Sequence, residues 1–166
     1  CDPYQPLEAT YNLTGRCLAI LAGSGWPVTI QTRSPLILRD IGILRRGADF
    51  QAGFSIGTAD DGIRTLFEPA APPIGERLRA LGELHNAGIM TYAMIAPILP
   101  GAERLVRELN GRVDRIIIDR MNYHYADWIY REHRLEAMRS VDYFEHMARE
   151  LKGECEKLGI GCTVVL

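Results

Sequence analysis

The chain has 166 residues, 47% hydrophobic and 24% charged, a composition that suits one globular domain over residues 1–166 with a continuous core. Its 19 Lys and Arg stand against 21 Asp and Glu with no block of like charge. That balance excludes the strong non-specific grip on phosphate backbones that a basic face gives, and leaves a nucleic-acid substrate neither supported nor excluded. No apolar run approaches the ~18 residues of a membrane span and no charged-then-apolar leader opens the chain, so a cytoplasmic protein with no membrane partner is expected.

Short β-branched runs alternate with amphipathic segments, the pattern of a parallel sheet covered by helices. Thr14 is placed to cap a first helix, with Leu13 and Leu18 as a hydrophobic staple, and Gly23 to Gly25 end it. A strand follows over 28–32. Ser34 and Pro35 open a second helix whose apolar face is Leu36, Ile37, Ile41 and Leu44. Residues 50–56 make the next strand, and 60–67 have room for a helical turn or two. Glu68-Pro69-Ala70-Ala71-Pro72-Pro73 is expected to be extended, because proline cannot join helical pairing.

Pro73 starts a helix bearing Leu78, Leu81, Leu84 and His85, which Gly88 closes in a left-handed conformation. A strand over 90–95 and a short helix around Leu105, Val106 and Leu109 come next. The Ile116-Ile117-Ile118 run reads as a buried strand over 115–119. The polar, aromatic segment from Met121 to Trp128 suits the rim of an opening. A last helix carries Val141, Phe144, Met147, Leu151, Cys155 and Leu158 on one stripe, ends at Gly159, and is followed by a strand over 162–166.

Ligands of parallel α/β folds collect at the carboxyl ends of the strands. That rule nominates Thr32-Arg33-Ser34, Ser55 to Thr58, Ala96-Pro97, and Asp119-Arg120 with the aromatic loop. Each has a plainer role available: Ser34 as a helix cap, Arg33 as a solvated charge, Asp119 and Arg120 as a pair sealing the mouth. His85, on an apolar stripe, reads as a hydrogen-bonded interior histidine, and His133 and His146 as solvated. His124, among Tyr123, Tyr125, Asp127 and Trp128, is placed for stacking or proton transfer.

Other chemistries find little. Gly23-Ser24-Gly25 precedes a strand, whereas a phosphate-binding glycine run follows one, and neither a nucleophile elbow nor HExxH occurs. Cys1, Cys17, Cys155 and Cys162 match no zinc or iron–sulfur spacing, so no metal site is expected within the chain. The first residue is Cys1 rather than an initiator methionine, and a (β/α)8 barrel takes about 250 residues. Missing upstream sequence is therefore expected.

Four stretches occur in order: Asp2-Pro3-Tyr4-Gln5-Pro6-Leu7-Glu8 with Leu13-Thr14, Thr32-Arg33-Ser34 with Leu38-Arg39-Asp40, Glu68-Pro69-Ala70-Ala71-Pro72 leading to Glu76-Arg77-Leu78, and Ala87-Gly88-Ile89 with the segment from Ile95 to Gly101. Together they resemble the spore-photoproduct-lyase-like group of radical S-adenosylmethionine (SAM) proteins over most of residues 1–120. The resemblance implies α/β architecture in a partial parallel (β/α) barrel, truncated on its N-terminal side. In that group a 4Fe-4S cluster, held by a CxxxCxxC loop, cleaves SAM reductively to a 5′-deoxyadenosyl radical, with an external electron donor. No such loop occurs here, so the ligands would lie outside the chain and the segment alone would be inactive.

The same resemblance assigns roles. Asp2, Gln5 and Glu8 fall where the superfamily contacts the SAM amino group, Ser55 and Thr58 lie near the ribose, and Ala96 and Pro97 border the adenine. Thr32-Arg33 stands where relatives usually show Thr-Lys. Cys1 is a candidate hydrogen donor and Tyr4 a candidate radical relay. By the strand-end rule rather than the resemblance, Asp119, Arg120, Tyr123, His124 and Tyr125 would face the substrate, which stays open, DNA included. Two other readings compete: a complete flavodoxin-like domain that binds a ligand or partner without catalysis, and a barrel hydrolase, which lacks any acid–base or metal constellation. Strand order separates the first from an opened barrel.

Overall fold

The computed structural model describes residues 2–120 and 124–165. Five strands, β1 (Val28–Thr32), β2 (Phe50–Ser55), β3 (Met90–Ile95), β4 (Arg115–Asp119) and β5 (Gly161–Val165), form one sheet. All neighbours are parallel and the order is β1-β2-β3-β4-β5. A doubly wound sheet reverses its order at a switch point. This one does not, so the flavodoxin-like alternative is overturned and the architecture is that of an opened, partial (β/α) barrel.

The register divides the side chains between two faces, since residues facing one another across parallel strands point the same way. One row runs Thr32, Phe54, Ala93, Ile116 and Cys162. Its Phe54, Ala93 and Ile116, with Ile30, Ala52, Ile95 and Ile118, form the core, against Leu81 and Leu84 of α5 (Ile74–Asn86) and Phe144 and Leu151 of α8 (Val141–Leu158). The other row runs Gln31, Gly53, Tyr92, Arg115 and Gly161, and none of these belongs to that core. On it, the Tyr92 ring lies across Gly53, and its hydroxyl donates to the Ile30 carbonyl at 3.2 Å. The Arg115 guanidinium sits 5.2 Å from the Tyr92 ring centroid and donates to Gln51 at 2.8 Å.

Several local expectations are met. Ser34 accepts the Leu36 amide at the start of a 3-10 turn, Pro35–Asp40, that continues into α3 (Ile41–Leu44). Asp60 caps α4 (Asp61–Phe67), α5 begins after Pro73, and Gly88 and Gly159 take positive φ of 79° and 69°. A 3-10 turn at Ala102–Arg104 leads into α6 (Leu105–Leu109).

Others are corrected. Thr14 does not cap its helix: a short α1 (Glu8–Tyr11) precedes α2 (Leu13–Ala22), and Asn12 turns between them at φ 50°. The Thr14 hydroxyl instead donates to the Pro3 carbonyl at 2.6 Å, and Leu13 is exposed rather than a staple. The proline-rich segment is non-helical but not fully extended, since the Ala71 amide bonds the Glu68 carbonyl at 3.0 Å in a turn. Asp127 and Trp128 belong to a helix, α7 (Asp127–Glu132), rather than to a loop. Val141 and Leu158, at the two ends of the α8 stripe, are exposed.

A Cβ on Gly53 would overlap the Tyr92 ring. Gly53→Ala is expected to destabilise the fold by about 1–3 kcal/mol. The loss should shrink in a Tyr92→Leu background, where the ring is gone. Urea unfolding of the two single variants and the double variant measures both effects.

Candidate functional site

The segment ahead of α1 folds back over the carboxyl end of β1. Asp2 accepts the Tyr4 amide at 2.8 Å, the Thr32 hydroxyl at 2.6 Å and the Arg33 amide at 2.8 Å. Thr32 in turn accepts the Ser34 amide at 2.9 Å. One carboxylate thereby joins the first residues of the chain to the end of β1 and to the turn after it.

Behind Asp2 lies a polar chain in which Tyr4, Glu8 and Asp40 are buried and Arg39 reaches solvent. The Tyr4 hydroxyl donates to Asp40 at 3.0 Å, and Arg39 bridges Asp40 and Glu8 at 3.0 Å each. Glu8 accepts the amides of Leu13 at 3.1 Å and Thr14 at 2.9 Å, closing the start of α2, where free amides favour a negative group. Burial works against the Glu8 charge, but the Thr14 amide, the Arg39 guanidinium and the Gly15 amide outweigh it and hold its pKa below the ordinary value. Burial, and then the Asp40 carboxylate, push the Tyr4 phenol far up, so it stays protonated. Tyr4 and Glu8 are both spoken for within the fold.

The end of β2 lies next to this assembly. Ser55 accepts from the Gln31 side chain at 2.8 Å, and its carbonyl accepts from Nη1 of Arg77 at 3.0 Å. Glu68 pairs with Arg77 and with Arg33, each at 2.7 Å. Two clefts flank these residues. The smaller, about 420 Å³, is lined by Asp2, Gln31, Thr32, Arg33 and Ser55. The larger, about 500 Å³, runs between the Asp2 to Pro6 segment and the wall made by Phe67 to Pro72. Asp2 and Arg33 line both.

The nominated residues thus fall into groups. Asp2, Thr32, Arg33 and Ser55 meet at the smaller cleft, and Gln5 lines the larger one. Thr58, Ala96 and Pro97 line neither cleft. Thr58 is buried and its hydroxyl donates to the Pro100 carbonyl at 2.6 Å, tying the β2 loop to the β3 loop. Gly57 allows that approach, since a Cβ there would stand 2.6 Å from the Pro97 carbonyl oxygen. The Asp119 carboxylate accepts the Arg120 amide at 2.7 Å, and its carbonyl accepts the Ile98 amide.

His124 and Tyr125 are exposed and line neither cleft. Nδ1 of His124 lies 2.9 Å from Asp127, which also pairs with Arg139. The hydrogen bond from His124 is the main cause that holds the Asp127 carboxyl below its usual range. Cys1 and Tyr123 lie outside the described residues. His85, read as an interior histidine, is half-buried with Nδ1 3.0 Å from the Thr91 hydroxyl. Among the described residues no three His, Cys, Asp or Glu side chains are grouped to hold a metal ion. No helix among them is long and apolar enough to cross a membrane.

Gln31, Asp40, Glu68 and Arg77 were not nominated from sequence as site residues. Two signals pointed to some of them. Gln31 is polar on a strand whose alternate residues, Ile30 and Thr32, are buried, which marks a second, polar face. Arg77 stands on the stripe Ile74, Arg77, Leu81 and Leu84, where a charge needs a buried partner.

No family model matches the chain. An uncharacterized protein of Methanocaldococcus jannaschii is 31% identical over 99 residues, 60% of this chain and 38% of that protein. An uncharacterized protein of Mycobacterium tuberculosis is 30% identical over 102 residues, 60% of this chain and 30% of its own length. A radical SAM Nα-GlyT isomerase of Pseudomonas phage M6 is 26% identical over 100 residues, covering 60% of this chain and 21% of that one.

Among solved structures, spore photoproduct lyase complexed with dinucleoside spore photoproduct superposes with a TM-score of 0.68 at 15% identity, covering 95% of this chain and 56% of that chain. A double mutant of that lyase with bound AdoMet and dinucleoside spore photoproduct gives a TM-score of 0.67 at 15% identity, over the same shares. The fold is therefore that of a radical SAM partial barrel, as the resemblance implied. The chain spans little more than half of the solved lyase and from 21% to 48% of the curated relatives it matches.

The depressed pKa of Glu8 has a direction that can be tested. A carboxylate whose folded pKa lies below its unfolded value adds stability above the unfolded value and loses it as pH falls through the folded one. Unfolding midpoints in urea should therefore fall between about pH 5 and pH 3. Glu8→Gln, which keeps the shape and removes the charge, should flatten that part of the profile and be less stable near neutral pH.

Proposed function

We propose that these residues form the later part of the barrel of a radical SAM enzyme, supplying part of its SAM site and the mouth through which substrate enters. The observation that carries this reading is the smaller cleft. At the carboxyl ends of β1 and β2, within a partial-barrel fold, it gathers a carboxylate, a guanidinium and two hydroxyls in one place. Such a set fits a ligand that carries an ammonium, a carboxylate and a ribose.

Within this reading Asp2 and the Thr32 hydroxyl face the amino-acid end of SAM, Arg33 its carboxylate, and Ser55, held by Gln31, its ribose. Gln5 extends the wall toward the larger cleft. Ala96 and Pro97 border the adenine, while Thr58 and Glu8 act by holding backbone rather than by touching ligand. When bound, the 4Fe-4S cluster supplies the electron that divides SAM into methionine and a 5′-deoxyadenosyl radical. Its thiolate ligands are assigned to sequence outside these 166 residues, and the electron to an external donor. Activity is then a property of a longer protein.

Substrate-facing roles go to Asp119, Arg120, His124 and Tyr125, and a DNA lesion is the substrate suggested by the solved neighbours. Tyr4 is less suited to relay a radical toward substrate, because its ring is buried and its hydroxyl is bonded to Asp40. The longer gene product, reconstituted anaerobically with iron and sulfide and given dithionite and SAM, is expected to release 5′-deoxyadenosine and methionine, measured chromatographically. Upstream sequence without three closely spaced cysteines would overturn the reading.

A further inference from the structure

Glu68 joins two arginines of opposite character. The Arg77 side chain is wholly buried, whereas that of Arg33 is 40% exposed at the wall shared by both clefts. Arg77 is itself fastened, through Nη1 to the Ser55 carbonyl at 3.0 Å and through Nε to the Pro72 carbonyl at 2.9 Å. Glu68 gives one oxygen to each arginine, Oε2 to Nη1 of Arg77 and Oε1 to Nε of Arg33. A line of alternating charge thus runs from the core of the α5 packing out to the clefts.

The contact with Arg33 decides what that line can do. A guanidinium is a planar fork, and a carboxylate meets it best along an edge with two donors. Glu68 engages Arg33 through Nε, so both Nη groups stand outside the ion pair. A long side chain, more than a third exposed, otherwise samples many rotamers and loses that freedom on binding. Holding Nε from behind fixes the plane of the guanidinium before any ligand arrives.

We infer that Glu68, anchored by Arg77, is a positioning residue that sets the Arg33 guanidinium for the carboxylate of the ligand in the smaller cleft. The inference rests on the proposed reading of that cleft as SAM-binding. Its consequence is selective. Glu68 matters for ligands that carry a carboxylate there and not for the rest of the nucleoside.

The test compares SAM with decarboxylated SAM, binding being measured by calorimetric titration on the protein that carries these 166 residues. Glu68→Gln should weaken SAM about tenfold and leave the decarboxylated analogue within about twofold. In an Arg33→Gln background the same substitution should cost nothing further. Glu68→Gln leaves the Arg77 charge buried without its partner, so the variant can fail to fold. The pair Glu68→Gln with Arg77→Met, which removes both charges, is carried beside it and should show the same selective loss. Equal losses for both ligands, or none for either, would overturn the inference and leave the reading of the cleft standing. Failure of the unsubstituted protein to bind either ligand would overturn the reading itself, and the inference with it.

Discussion

Parallel pairing between strands that follow one another in sequence is the constraint from which the rest of the molecule derives. Each connection must return to the same end of the sheet, and right-handed crossovers put the connecting helices on one face. The face they cover becomes the core of Ile30, Phe54, Ala93, Ile116 and their helical partners. The other keeps Gln31, Gln51, Ser55, Tyr92 and Arg115, a polar lining that an open doubly wound sheet, covered by helices on both faces, would not tolerate. The same constraint brings all the strand ends to one rim. Asp2, Thr32, Arg33 and Ser55 are close there although the sequence separates them by more than 50 positions.

At that rim, charges are arranged in two tiers. The inner tier, Tyr4 with Asp40, Arg39 and Glu8, and Arg77 with Glu68, consists of groups whose partners lie within the fold. A charge taken out of water is tolerated when paired and hydrogen-bonded. The outer tier, Asp2 and Arg33, is tied to the inner one through backbone amides and through Glu68, yet borders open clefts. The division explains why Glu8 and Thr58, both polar and both nominated for the ligand, turn out to hold backbone. Their donors and acceptors are filled by helix amides and by the Pro100 carbonyl.

Much of the architecture was legible from local pattern. Ser34 caps a helical turn by accepting an amide near at hand, Gly88 and Gly159 end helices at positive φ, and each strand matches a β-branched or apolar run to within a residue. Caps and periodicities depend on neighbours a few residues away, so a linear reading captures them. Where a residue's partner lay far along the chain the reading failed. Thr14 looked like a cap, but Glu8 already served α2, and the hydroxyl went to Pro3. The segment 68–73 was expected to run straight, but Arg64 holds the carbonyls of Glu68 and Ala71, and a turn forms.

The sequence by itself determined the kind of fold this is. Alternating strand and helix periods specify a parallel sheet, and the ordered motifs from Asp2 to Gly101 resemble one radical SAM group whose fold the chain indeed has. Only the tertiary structure decided which nominated side chains share a cleft and which are consumed in holding the fold. Strand order separated a partial barrel from a doubly wound sheet, and distances separated Asp2 and Arg33 from Glu8 and Thr58. The physical reason is that propensity and periodicity are local, whereas a site at the rim of a barrel is made by register, by the return of each crossover and by ion pairs such as Arg33 with Glu68, whose partners meet only once the sheet exists.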